Sequence, residues 1–195
     1  MSMKIIDILR QTIVNDATVE IKVEHNNRLC KLSEAKSDYE FIIHSLPDDI
    51  IIIKCDKFPS TKDVFFYGNN NECKKADYII ISETYKAILI FEIKRSKNTS
   101  MASDIVYQLK GASCIVDYCE SIIKEYFNID NIFHGYTRKY YIGIFKSSDK
   151  RPFNYDVYSK NSNLDNAKPE YAKKLLSCNV KFQKLLEDRT KKRQR

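Results

Sequence analysis

Apolar and polar positions repeat along the first third of the chain with two periods, and each period predicts a type of element. Apolar residues at helical spacing predict a helix from Met3 to Val14, and alternation over residues 19–32 predicts a hairpin. Ser33 is placed to cap a helix from Glu34 to about Leu46. The β-branched run Ile50–Cys55 then predicts a strand.

Two runs in the middle of the chain are apolar at nearly every position. Ala76–Ile81 and Ala87–Ile93 predict neighbouring strands, and the shorter run Val64–Tyr67 before them predicts another. Strands that are apolar on both faces belong in the middle of a sheet. We therefore expect helices to cover both faces of this sheet.

The second half of the chain predicts two helices, a strand and a long loop. A helix is predicted over Met101 to about Tyr126, a strand over Tyr140–Phe145 and a last helix from Pro169 to about Asp188. The Asn- and Ser-rich stretch 146–168 is typical of a loop. The mixed order of elements predicts an α/β fold of three layers, in which a mixed central β-sheet is flanked by helices.

The length of 195 residues fits a single domain. We divide it into an N-terminal helix and hairpin at 1–32, a core at about 33–145, and a C-terminal loop, helix and basic tail at 146–195. No run approaches the roughly 18 apolar residues that cross a bilayer. Lys4 and Asp7 interrupt the N-terminus where a signal peptide would be apolar. We therefore expect a cytoplasmic protein that makes no membrane contact.

The chain contains six cysteines and three histidines, and no two cysteines form a C-x-x-C pair. A structural zinc site requires short, paired ligand spacings. The spacings therefore disfavour structural zinc, and we expect six reduced thiols.

The formal net charge of +7 arises entirely in the second half of the chain. Residues 1–100 carry 15 Lys+Arg and 15 Asp+Glu, whereas residues 101–195 carry 18 and 11. The run 189–195 concentrates this excess in five basic residues, of which Arg189, Lys191, Lys192 and Arg193 are the candidate contacts to nucleic acid. Basic surfaces attract phosphate backbones through counterion release, so nucleic acid is a candidate partner. The alternative is a basic tail that binds nothing.

The pattern Glu-x-Lys occurs four times, and one copy has an unusual position. Glu92-Ile93-Lys94 stands at the end of a strand that is otherwise apolar, so two charges lie where a buried strand leaves the core. Charged groups there are costly unless they are neutralised or coordinated. The position therefore indicates a functional pair of charges.

A third charged residue lies opposite this pair if the hairpin closes symmetrically over residues 83–86. Asp77 then faces Glu92 on the same side of the sheet, with Cβ atoms roughly 4.5–5.5 Å apart. Two carboxylates at that separation repel, and a divalent cation such as Mg²⁺ or Mn²⁺ converts the repulsion into binding. Lys94 is two residues beyond Glu92 and projects on the same face.

An Asp followed on the next strand by Glu-x-Lys resembles the motif of the PD-(D/E)XK nuclease superfamily, the restriction-endonuclease-like fold. Asp77 and Glu92-Ile93-Lys94 match the motif, Ala76 stands in place of the family's proline, and the resemblance covers roughly residues 33–145. It implies an Mg²⁺- or Mn²⁺-dependent phosphodiesterase, with DNA favoured over RNA and endonuclease action expected. It also implies that Asp77, Glu92 and the carbonyl of Ile93 ligate the metal, while Lys94 orients the attacking water.

The resemblance also points to residues outside the motif. The family often has a glutamate ligand on the preceding helix, for which Glu40 is the candidate and Glu34 its rival. Several members carry a glutamine on the following helix, and Gln108 fits that position as a contact to phosphate or water. Lys110 is a surface residue and a candidate contact to nucleic acid. Gly111 would allow this helix to approach the sheet closely.

Three other interpretations remain open. Lys94 and the two acids can form a salt bridge that only balances charge. The chain can be a catalytically inactive nuclease-fold subunit that binds nucleic acid or protein, or a basic interaction module unrelated to nucleic acid. Compact nucleases of the resembled type recur in restriction, repair and antiviral defence. The resemblance therefore suggests an effector of a bacterial defence system that acts as a homodimer or with a regulatory partner protein.

Overall fold

The computed structural model describes residues 4–33, 40–94, 102–144 and 166–187. These residues form an α/β fold with two mixed β-sheets and few helices, so the predicted α/β class is confirmed. No helix in the described part of the chain has the length and apolar character needed to span a membrane.

The larger sheet has five strands and carries the apolar runs in the middle of the chain. In spatial order it contains β4 (Ile50–Lys54), β5 (Tyr78–Ser82), β6 (Ala87–Lys94), β7 (Thr137–Ile144) and β8 (Lys173–Leu175). The first three strands are antiparallel, whereas β6, β7 and β8 run parallel. Strands β5 and β6 are buried along nearly their whole length, as their sequences predict.

The smaller sheet has four strands in the order β1 (Lys22–Glu24), β2 (Asn27–Ser33), β3 (Glu40–His44) and β9 (Asn179–Lys181). Strands β1 and β2 form the predicted hairpin, which turns at His25 and Asn26. Strand β9 pairs parallel to β3 at the edge.

Three layers result, but the two longer helices cover only one face of the five-stranded sheet. Helices α1 (Ile5–Thr12) and α2 (Ala102–Phe127) pack on one face, where they enclose alternate residues of β4, β5 and β6. The smaller sheet and the short helix α3 (Phe182–Leu186) cover the other face. The second face is therefore covered mainly by a sheet and only in small part by a helix, because apolar residues alone do not reveal which element covers them.

The helix predicted from residue 34 to 46 is wrong over its described part, residues 40–46. Ser33 ends β2 and pairs with Glu40 at the start of β3, while residues 34–39 lie outside the described part. Phe41 and Ile43 are buried between the two sheets, and the residues between them point outwards. This period-two burial determines the strand, although Tyr39, Ile42, Ile43 and Leu46 also fit a helical period.

Two further predicted elements are wrong. Residues 64–67 form a turn with one isolated bridge between Lys62 and Phe66, and they are exposed. Pro169 opens a 3-10 turn at Pro169–Tyr171, after which the chain forms β8 and β9 before α3. Leu175 and Val180 are buried between the sheets, so tertiary packing overrides the helical pattern. The predicted loop at 146–168 falls mostly outside the described residues.

Candidate active site

The hairpin of β5 and β6 has the register that its sequence predicts. Ile79 pairs with Ile90 and Ile81 with Ile88, and the ladder ends at the pair of Tyr78 and Phe91. Residues 77 and 92 lie one step beyond that last pair. Ile79 and Ile90 face the helices, so alternation places Asp77, Glu92 and Lys94 on the same helix-covered face.

Asp77 reaches across to β6 through both its backbone and its side chain. Its N–H donates to the carbonyl oxygen of Phe91 at 3.1 Å. Its Oδ2 accepts a hydrogen bond from the N–H of Ile93 at 2.6 Å. These two bonds hold the Asp77 carboxylate beside the strand segment that carries Glu92.

Glu92 is completely buried, and this burial dominates the electrostatics of the site. Burial and, to a lesser extent, the negative charge of Asp77 raise the pKa of Glu92, whereas Lys94 and Gln108 lower it, and the net result is a pKa of about 8. The Lys94 ammonium lies against Oε1 of Glu92, while the Lys94 side chain is 18% exposed. Lys94 therefore connects a buried acid with the protein surface.

The carboxylate of Glu92 has incomplete hydrogen bonding. Lys94 and Gln108 both approach it. However, neither Oε1 nor Oε2 has a hydrogen bond of ordinary geometry to any residue that the structure describes. A buried acceptor in this state is destabilising unless another donor or a cation reaches it.

The donor set at this place suits a hard divalent cation. The carboxylates of Asp77 and Glu92 are close enough to interact electrostatically, and oxygen ligands of this kind are preferred by Mg²⁺ and Mn²⁺. The backbone of Ile93 adjoins the Asp77 carboxylate, so its carbonyl remains a candidate ligand. Across the four described ranges, no three His, Cys, Asp or Glu side chains converge on a metal position. A cation here would therefore take its remaining ligands from backbone, water or substrate.

Helix α2 brings Gln108 to the site by packing very closely against the segment that precedes β5. A Cβ atom added to Gly111 would lie 1.7 Å from the carbonyl oxygen of Lys74. Only glycine permits this approach, which confirms the predicted role of Gly111. The ion pair between Lys74 and Asp104, at 2.9 Å, fixes the same two segments one to two turns earlier on the helix.

Two of the other candidates lie elsewhere. Glu40 is exposed at the start of β3 and pairs with Lys31 at 2.8 Å. Phe41 faces the space between the sheets, so Glu40 faces away from it and does not join Asp77 and Glu92. Its assignment as a helical metal ligand is therefore wrong. Lys110 is exposed and forms an ion pair with Glu170 at 2.7 Å.

The remaining candidates fall outside the described residues. They are Glu34 and the basic candidates near the C-terminus, Arg189, Lys191, Lys192 and Arg193.

Two residues that sequence reasoning missed flank the acids. The N–H of Cys55 donates to the carbonyl oxygen of Asp77 at 2.8 Å, and burial and the nearby Asp77 charge raise the pKa of the Cys55 thiol far above its usual range. Lys174 pairs with Ile142, which itself pairs with Glu92. The position of Cys55 at the end of an apolar strand could have been recognised from the sequence. Lys174 could not, because it lies in a segment whose apolar pattern is helical.

Lys174 lies in the same transverse row of the sheet as Glu92. Leu175 faces the space between the sheets, so its exposed neighbour Lys174 points to the face that carries Glu92. Two strand spacings separate the two Cα atoms, which corresponds to about 10 Å. Lys174 therefore adds an exposed cation to the row of the sheet that carries Glu92.

Comparison with protein-family models, with curated proteins and with solved structures finds no match to this chain. The α/β class rests on the described elements themselves. The restriction-endonuclease-like core stays a proposal that depends on the geometry of the site.

Proposed function

We propose that the chain is a metal-dependent nuclease that hydrolyses phosphodiester bonds of nucleic acid, with DNA favoured over RNA. The observation that carries this proposal is the fully buried carboxylate of Glu92, which adjoins Asp77 and touches Lys94. A buried acid next to a second acid is costly for folding, and such costs are typical of functional sites. The restriction-endonuclease-like core is part of this proposal, because that fold places such a motif at the end of a central hairpin.

Each residue has a definite task in this proposal. Asp77 and Glu92 hold the cation through carboxylate oxygens, and the carbonyl of Ile93 is a candidate for a further ligand. A divalent cation supplies Lewis-acid stabilisation of charge on the phosphoryl oxygens and favours ionisation of water. Lys94 donates hydrogen bonds to water or phosphate from its partly exposed ammonium. Gln108 orients the same groups through its amide.

The charges of the site match a phosphodiester. When all are ionised, Asp77, Glu92 and Lys94 together carry one net negative charge. A divalent cation changes this into one net positive charge, which attracts the single negative charge of a phosphodiester. The expected products are a 5′-phosphate and a 3′-hydroxyl, as in the nucleases that the motif resembles.

One observation favours a second candidate function. The Lys94 ammonium already lies against Glu92 and neutralises part of its charge. A catalytically inactive nuclease-fold subunit that binds nucleic acid or protein would use this pair for charge balance alone. With either function, the chain could be the effector of a defence system that acts as a homodimer or with a regulatory partner protein.

A cleavage assay separates these two functions. Wild type, Glu92→Gln and the exposed control Glu125→Gln are incubated with plasmid DNA, single-stranded DNA and RNA, in Mg²⁺, Mn²⁺ or EDTA. We expect cleavage by wild type and Glu125→Gln that requires the metal and is lost in Glu92→Gln. Binding with a steep salt dependence but without cleavage would favour the inactive subunit.

A further inference from the structure

Residues 58–75, which we name the aromatic loop, connect the end of β4 to the start of β5 and expose large apolar side chains. Val64, Phe65, Phe66 and Tyr67 have exposed fractions of 84%, 80%, 47% and 82%. Contiguous exposed apolar surface often marks a site that binds a ligand or another molecule. The position of the loop places this surface at the same end of the sheet as Asp77 and Lys94.

The exposed side chains stand on an organised backbone. The carbonyl oxygen of Thr61 accepts hydrogen bonds from the N–H groups of Phe65 and Phe66, at 3.0 and 2.9 Å. The carboxylate of Glu72 accepts from the N–H groups of Gly68 and Asn70 at 2.9 and 2.8 Å. The backbone that carries the aromatic rings is therefore organised, which lowers the backbone entropy lost when a ligand binds to the loop.

A groove of about 200 Å³ lies between the aromatic loop and helix α2. Phe58 and Phe66 line it on the loop side, and Ile115 and Tyr118 line it on the helix side. The rings of Phe58 and Tyr118 pack edge to face with centroids 5.7 Å apart. Aromatic surfaces of this kind are the platforms on which unpaired bases stack.

The groove and the candidate active site are built on the same two segments of the chain. Lys75 lines the groove and stands two residues before Asp77. Gly111 also lines it and follows Gln108 by about one helical turn. The groove and the site therefore share the segment that precedes β5 and the first half of α2.

The charges around the groove favour a polyanion. Residues 56–75 contain four lysines, at positions 57, 62, 74 and 75, and three acids, Asp56, Asp63 and Glu72. Lys57 and Lys62 are exposed and form no ion pair within the described ranges. Glu72 lines the groove, but both of its oxygens are engaged by backbone N–H groups.

We propose that the aromatic loop binds the unpaired bases of a single-stranded nucleic acid and leads its backbone to Asp77 and Glu92. This inference rests on the proposed nuclease function and adds its substrate class. Phe65 and Tyr67 stack the bases, and Lys57 and Lys62 contact the phosphates. Duplex DNA offers no free base faces to these rings, so the loop selects single strands or single-stranded ends.

Binding is measured by fluorescence anisotropy in EDTA, with Glu92→Gln as the background to prevent cleavage. The probes are a labelled oligothymidylate of about 20 nucleotides and a duplex of equal length. Phe65→Ala/Tyr67→Ala is expected to raise the Kd for the single strand roughly 5- to 100-fold. Tyr126→Ala removes an equally exposed ring (76%) at the distant end of α2 and is expected to leave the Kd unchanged.

The dependence on salt separates stacking from charge. Lys62→Gln is expected to reduce the slope of log Kd against log salt by about one, because it removes one phosphate contact. Phe65→Ala/Tyr67→Ala is expected to keep the slope while the affinity falls, because it removes no charge. Circular dichroism verifies that each variant is folded.

The outcomes for the loop and for the nuclease function are distinct. An unchanged single-strand Kd in Phe65→Ala/Tyr67→Ala overturns this inference, even if the wild type cleaves DNA. Loss of binding in that variant supports the loop's role, even if the wild type never cleaves and the nuclease function fails. A dimer that dissociates in the variant, with unchanged binding, overturns it and assigns the rings to a second copy of the chain.

Discussion

The buried carboxylate of Glu92 should make the metal-free protein less stable than a variant that lacks its charge. We expect Glu92→Gln to raise the free energy of unfolding in EDTA. Glutamine has nearly the same shape and offers an oxygen to Lys94, yet it carries no charge that burial penalises. Most substitutions of buried residues destabilise, so a gain in stability would be a distinctive result.

The size of the gain follows from the pKa of Glu92. That pKa is about 8 in the folded protein against the usual 4.5, so the folded state holds a proton that the unfolded state releases. Stability is therefore lost as the pH rises between these two values. At about pH 7.5 the loss amounts to about 4 kcal/mol at most, and at about pH 5 it is below about 1 kcal/mol.

Urea unfolding of the two proteins in EDTA, followed by circular dichroism, measures this difference at both pH values. Glu125→Gln, an exposed carboxylate on the same helix as Gln108, is the control and should change little at either pH. Addition of Mg²⁺ should stabilise the wild type by about 2.7 kcal/mol at a concentration of 100 Kd, and leave Glu92→Gln unaffected. A variant that is less stable than wild type at about pH 7.5 in EDTA would refute the reasoning.

Three further substitutions probe the surroundings of Glu92. Gly111→Ala should lower the free energy of unfolding by about 1–3 kcal/mol, because its Cβ would clash with the carbonyl of Lys74, even though alanine is the better helix former. A higher Tm in thermal unfolding would contradict this. Lys94→Gln should destabilise the metal-free protein at neutral pH and lower kcat about 100-fold or more, since Glu92 loses its nearest cation. Unchanged stability together with unchanged kcat would contradict this prediction. Lys174→Gln should raise KM and reduce the salt slope by about one while kcat is kept, and an unchanged KM would remove Lys174 from the phosphate path.

The parts of the fold that sequence predicts well are those that local pattern determines. The hairpin of β5 and β6 is closed by a short turn, and both strands are apolar throughout, so counting from the turn gives the correct pairs. Helix α2 is long enough for its period to be unambiguous. These two elements carry Asp77, Glu92, Lys94 and Gln108, which explains why the candidate site is found from sequence.

The parts that sequence reasoning misses depend on distant packing. Strand β3 and the segment with β8 and β9 have apolar spacings that also fit helices, and only their burial between two sheets selects extended chain. Because β3 is a strand and not the predicted helix, Glu40 lies outside the proposed site. The run Val64–Tyr67 has the composition of a strand, but its side chains face solvent and it forms a turn.

Binding of Mn²⁺ tests the central claim most directly, since the account requires Asp77 and Glu92 to hold a divalent cation together. Titration followed by electron paramagnetic resonance counts the bound ions in wild type, Asp77→Asn and Glu92→Gln. The account predicts one bound Mn²⁺ per chain in wild type and none at that affinity in either variant. Equal binding by wild type and Glu92→Gln would show that the buried acid is not a ligand, and the nuclease proposal would lose its foundation.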